Sequence, residues 1–190
     1  MEIKEYQPIK INLSLKDISK KYSNLDIKYP NISLINGDYL QIRGASGSGK
    51  TTLCEILVKF LSFDSGTITL NNQEISSINV FNYIHYISQF PEHNLIGPTA
   101  LDELNLWGVE INNPEIILQE FNVPDLPIWK LSFGQKKALS FAVLKLCPRT
   151  IWILDEPFAG LDANMKEKLC ELINDFRQTG GVVIEAVAIL

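Results

Sequence analysis

Residues 44–51 read GASGSGKT. They fit the pattern G-x-x-x-x-G-K-[ST], in which glycines let successive backbone N–H groups turn inward toward phosphate oxygens. The preceding DYLQIRG (38–44) reads as a strand. The following KTTLCEILVKFL (50–61) carries Leu53, Ile56, Leu57, Phe60 and Leu61 at helical spacing. A helix opening directly after the loop adds the positive end of its dipole to the cradle. Gly44, Ala45, Ser46, Gly47, Ser48, Gly49, Lys50, Thr51 and Thr52 are therefore expected to hold the phosphates of a nucleoside triphosphate. Lys50 would reach the β- and γ-phosphates, and the Thr51 hydroxyl would reach Mg²⁺.

IWILDE (151–156) supplies the partner this chemistry needs. A continuous apolar run suits a strand buried on both faces. Asp155 at its end would join the Mg²⁺ shell, and Glu156 would polarise an attacking water. Two adjacent acids alone fit a solvated strand end or a helix cap equally well; beside a phosphate loop the catalytic reading is favoured. Further out, IKINLSLKDI and GTITLNNQEI alternate as half-buried antiparallel strands, and NYIHYIS reads as another strand. The chain turns mainly helical from Pro98, interrupted by NVPDLPIWK. NMKEKLCELINDFRQ reads as an amphipathic helix and GVVIEAVAIL as a further buried strand.

The expected architecture is α/β, a phosphate-loop fold with a mostly parallel core sheet. Residues 1–94 and 147–190 would form the core and an N-terminal antiparallel β-subdomain, with an inserted helical subdomain at about 95–146.

The 46% hydrophobic and 21% charged fractions of this 190-residue chain are those of an ordinary globular domain with a real core. A net charge of −5 argues against non-specific nucleic-acid binding. MEIKEYQPIK is charged from its first residues, so no secretory signal is expected, and no apolar run approaches the roughly 20 residues that span a bilayer. Cys54, Cys147 and Cys170 are scattered without CxxC spacing, as reduced cytoplasmic thiols are.

LSFGQKK (131–137) resembles the signature segment, usually LSGGQ, of ATP-binding-cassette (ABC) ATPases, and it stands just before the IWILDE run as the signature does before the corresponding acidic strand in that family. On its own it reads as a Ser N-cap on the helix that follows. The resemblance implies that Ser132, Gly134 and Gln135 meet the γ-phosphate of ATP held by a second ATPase subunit, in a homo- or heterodimer. It also implies that Tyr22, 22 residues before Gly44, stacks on adenine, that Gln89 contacts Mg²⁺ and senses a membrane subunit, and that Asp162 of FAGLD communicates across the dimer.

QFPEHNLIGPTALDELNLWG (89–108) is similar, more narrowly, to the segment after this glutamine in energy-coupling-factor and cobalt-type importer ATPases. Pro91, Glu92, Gly97, Pro98, Thr99, Asp102 and Glu103 match, and Asn94 stands where Gln is usual. The implied function is ATP hydrolysis driving uptake of a vitamin or metal ion, with a transmembrane coupling subunit docked near Gln89–Gly108. The chain would then lie peripherally on the cytoplasmic face of the membrane. A soluble ABC ATPase acting as a nucleotide switch, or a degenerate regulatory subunit, are the alternatives.

Two departures stand out. Phe133 replaces a signature glycine. The strand GVVIEAVAIL carries no histidine where the family places its switch histidine, and the strands and helices that usually complete the domain are missing after it. Slow or partner-assisted hydrolysis, truncation, or a compact ATP-binding switch would each account for this ending. Glu185 would stand near the missing sensor, and His85 and His93 are expected to be ordinary strand and loop residues.

Overall fold

The computed structural model describes residues 10–23, 25–107, 113–147 and 149–189; Gly108 and Leu190, which enter the readings above, lie outside the described residues. Strands β1 (Asn12–Tyr22), β2 (Leu25–Lys28) and β3 (Ile32–Ile35) begin an antiparallel sheet. In β1, Leu13 and Leu15 point inward by simple alternation, and a bulge between Lys16 and Ser19 then changes the phase so that Ile18 is also buried. β4 (Tyr39–Gly44) leads through the glycine loop into α1 (Lys50–Leu57), and β5 (Ser65–Leu70) and β6 (Gln73–Glu74) then complete the antiparallel sheet in the order β2-β1-β5-β6, with β3 also on β1.

Two local expectations are corrected here. GTITLNNQEI is not one strand but the β5–β6 hairpin, because Asn71 and Asn72 both adopt left-handed backbone (φ 53° and 65°), the geometry of a two-residue hairpin turn. The helix after the loop ends at Leu57 rather than running through Phe60 and Leu61. Lys59 turns to φ 61°, and Phe60 is left 65% exposed.

The second half supplies β7 (Ile84–Ile87), α2 (Ala100–Trp107), α3 (Pro114–Glu120), α4 (Phe133–Leu146), β8 (Ile151–Asp155), α5 (Ala163–Gln178) and β9 (Val182–Ala188). The core sheet is fully parallel in the order β4-β9-β8-β7, so the fold is the α/β phosphate-loop class that the strand–loop–helix pattern implied. All five residues of β8 are buried, as the apolar run required. Ile151 and Ile153 face a core shared with α1 and the antiparallel sheet, while Trp152 and Leu154 face a second core built with α2, α4 and α5. Each such side chain contributes on the order of 1.5–3 kcal/mol by leaving water, so β8 is held in place from both faces. α4 starts on a complete capping box: Ser132 accepts from Gln135 N–H, and the Gln135 side chain accepts from Ser132 N–H.

Candidate nucleotide site

Parallel strands end together, and ligands of open α/β sheets sit outside those carboxyl ends. Here the loops after β4, β7 and β8 converge. The loop after β4 folds because two of its glycines take positive φ, Gly47 at 78° and Gly49 at 94°. Gly49 also has no room for a side chain: a Cβ there would lie 2.9 Å from Ile27 and 3.1 Å from the Tyr29 hydroxyl. Lys50 is buried, and its Nζ donates to Gly44 O and Ala45 O, each at 2.9 Å. Thr51 Oγ1 donates to Asp155 Oδ2 at 2.7 Å, tying the loop to the end of β8. Gln89, in the loop after β7, donates from Nε2 to Glu156 Oε2 at 3.3 Å.

β9 runs between the two active strands. Gly44 pairs with Ala188, Ile189 N–H donates to Gly44 O, and Glu156 N–H donates to Ala186 O. The phosphate loop and the acid pair are thus referenced to one central strand.

Asp155 is buried, and its Oδ1 has no hydrogen-bond partner among the described residues. Burial, its largest cause, pushes its carboxyl above the ordinary aspartate range; the Thr51 hydrogen bond and the nearby lysines oppose this. An orphaned carboxylate oxygen on the residue that accepts from a threonine hydroxyl is a hard-oxygen donor set, so Asp155 and Thr51 fit a Mg²⁺ ion. Glu156 adopts left-handed backbone at φ 50° and opens a turn in which Ala159 N–H donates to Glu156 O.

The remaining sequence-identified residues lie elsewhere. Ser132, Gly134, Gln135 and Asp162 line a separate cavity of about 300 Å³ between the starts of α4 and α5. Asp162 caps α5 by accepting from Met165 N–H at 2.8 Å. Phe133 is half-exposed at the mouth of α4, 3.7 Å from where a Gly160 Cβ would stand. Tyr22 is exposed at the end of β1, paired with Leu25 of β2. Thr52 sits on α1 beside Tyr29. Glu185 is turned away from the phosphate loop: it is buried between Tyr39 and Gln41, whose hydroxyl and amide donate to it, and burial pushes its carboxyl up to about 7. His85 is a buried strand residue, Nδ1 3.2 Å from Cys147 Sγ, with its pKa pushed down to about 4 chiefly by burial. His93 ends a short turn after Pro91.

Three residues at or near the site were not identified as site residues from the sequence. Tyr29 donates from its hydroxyl to Gly49 O at 2.9 Å. Nothing about a tyrosine 20 residues upstream signals that contact. Glu103 is fully buried and accepts from Ile96 N–H, Gly97 N–H and Trp107 Nε1, clamping the segment that follows Gln89. Lys137 is buried beneath the Glu156 turn.

Residues 27–159 match the ABC transporter family. The chain is 32% identical to a putative ABC transporter ATP-binding protein of Onion yellows phytoplasma over 95% of its own length and 34% of that protein's, so it spans about a third of this relative. It is 31% identical to the cytochrome c biogenesis ATP-binding export protein CcmA of Bartonella henselae, covering 92% of the chain and 86% of that protein. Among solved structures, cbiO1 from Clostridium perfringens, part of the ABC transporter complex cbiONQ, shares the fold with a TM-score of 0.72 at 24% identity, over 93% of this chain and 78% of that one.

Proposed function

The chain belongs to the ABC transporter family of ATP-binding subunits, which are ATPases, and from that premise we propose that it hydrolyses MgATP to drive substrate uptake through a membrane partner. The observation that carries the reading is the hydrogen bond from Gln89 to Glu156, because it ties the hydrolytic acid to the segment that would meet a partner.

In this reading Lys50 exchanges its two loop carbonyls for phosphate oxygens, a stronger charge-assisted contact. Successive loop N–H groups and the start of α1 orient the phosphates. Thr51, Asp155 and Gln89 would hold Mg²⁺, which when bound neutralises the phosphate charge. Glu156 accepts a proton from water as the water oxygen bonds to the γ-phosphorus; the bond to the bridging oxygen breaks and ADP leaves. Ser132, Gly134, Gln135 and Asp162 would face the nucleotide of a second ATPase subunit, and Tyr22 would stack on adenine.

The docking face would be the pocket of about 190 Å³ lined by Phe60, Phe81, Tyr86, His93, Ile96 and Trp107, beside the Gln89–Trp107 segment. Phe60 and Phe81 pack ring to ring at 6.0 Å on its rim. No described helix is long and apolar enough to cross a membrane. The resemblance of Gln89–Gly108 to energy-coupling-factor ATPases supports an importer. A second reading, export, is favoured by the relative named as an export protein.

The test is co-purification from detergent-solubilised membranes, with the hydrophobic partner then identified. An uptake-type membrane subunit is the expected result. An export-type subunit would replace importer by exporter, and no hydrophobic subunit at all would overturn the transport role.

A further inference from the structure

Lys137 lies on α4, is 1% exposed, and is among the largest fully buried side chains of the molecule. A buried ammonium is costly unless every donor is used, and here every donor is. Nζ donates to Glu156 O at 2.9 Å, to Pro157 O at 3.3 Å and to Ala159 O at 2.7 Å. The three carbonyls belong to one turn, the turn that begins at the left-handed backbone of Glu156. That conformation is unfavourable for a glutamate by about 1 kcal/mol or more, so something outside the turn must hold it. Nζ also stands 5.6 Å from the centre of the Phe133 ring, which opens the same helix.

We propose that Lys137 is a positioning residue: its ammonium gathers the Glu156, Pro157 and Ala159 carbonyls, and so aims the Glu156 carboxylate at the water it activates. The lysine touches no substrate atom. It joins the start of α4, which carries Ser132 and Gly134, to the backbone of the acid 19 residues further on. A displacement of α4 is therefore transmitted to Glu156 through three hydrogen bonds.

This inference rests on the reading of Glu156 as the general base, and the experiment separates the two. Turnover and MgATP affinity are measured for the full chain as purified, together with any partner that accompanies it, in the parent, Lys137→Met and Glu156→Gln proteins. Lys137→Met is expected to lower kcat tenfold or more with Kd for MgATP within twofold of the parent, because Lys50 and Thr51 are untouched. Parent-like turnover in Lys137→Met beside a dead Glu156→Gln overturns the positioning role alone. Parent-like turnover in Glu156→Gln removes the base and this proposal with it. Equal losses of affinity and turnover in Lys137→Met would make the lysine a general prop of the site and also overturn the proposal.

Lys137→Gln, which retains an amide donor for at most two of the carbonyls, is expected to fall between parent and Lys137→Met, and full turnover there counts against the role. Amide hydrogen exchange gives a readout independent of turnover and of the Met variant: exchange at Ala159 and Leu161 should be at least tenfold faster in Lys137→Gln than in the parent, with α1 unchanged. Unchanged exchange at those two amides overturns the proposal.

Discussion

Two turns leave parallel strands that flank β9, one after β4 and one after β8, and each has a buried lysine bonded to its backbone carbonyls. The difference lies in where the lysine comes from and how many bonds it makes. Lys50 follows its own loop by a few residues and spends two donors on Gly44 and Ala45. Lys137 comes from a different helix and spends all three on the turn it holds. An ammonium bonded to two neutral carbonyls can exchange them for anionic phosphate oxygens at a gain. One that saturates three carbonyls in a dry site has no such exchange open to it. In the proposed function the same functional group would be a ligand-responsive contact in one turn and a fixed brace in the other.

Each of the two turns can be perturbed separately. The largest effect is expected for Glu156→Gln, where loss of the base should lower turnover about 10²–10⁴-fold with MgATP affinity retained; a steady-state ATPase assay checks it. Lys50→Ala should act on the other turn and on the other quantity, weakening MgATP binding about 10–100-fold through loss of charged hydrogen bonds, read by nucleotide titration. Full affinity there would dissolve the distinction between the two lysines.

A smaller effect is expected away from both turns. Glu185 has its folded pKa raised from 4.5 to about 7. Between those values the unfolded chain has lost the proton and the folded chain keeps it, so this group's contribution to stability is complete below about pH 4.5, falls as pH rises, and levels off above pH 7. Glu185→Gln should thus be more stable than the parent at pH 8 by about 1–3 kcal/mol and nearly equal to it at pH 4, measured by denaturant unfolding. His85 works in the opposite sense: with its pKa lowered to about 4, its contribution is lost as pH falls below about 6.5. The two slopes oppose each other between pH 4.5 and 6.5, so each must be read against its own variant. The smallest change is expected for Tyr29→Phe, which removes only the hydroxyl bonded to Gly49 O and should weaken MgATP binding two- to tenfold.

How far the sequence could be read follows from how local each signal is. The loop Gly44–Thr51, the β8 run and the cap at Ser132 depend on neighbours within a few positions, and their periodicity and glycine spacing display them directly. The end of α1 was missed because Leu53, Ile56, Leu57, Phe60 and Leu61 keep a helical rhythm beyond the point where Lys59 breaks the backbone. In the β5–β6 hairpin, the alternation on either side of Asn71-Asn72 hid the turn between them. Lys137, Tyr29 and Glu185 were hidden for a different reason. Their partners lie 19–22, 20 and 144–146 residues away, and no periodicity encodes a contact across that span.

The left-handed backbone of Glu156 has a consequence for sequence change. Glycine and asparagine occupy that conformation at less cost, so random mutagenesis screened for thermal resistance alone should enrich both at position 156 while hydrolysis disappears from the survivors. With Glu156 as the proposed base, folding and chemistry would select in opposite directions at this position.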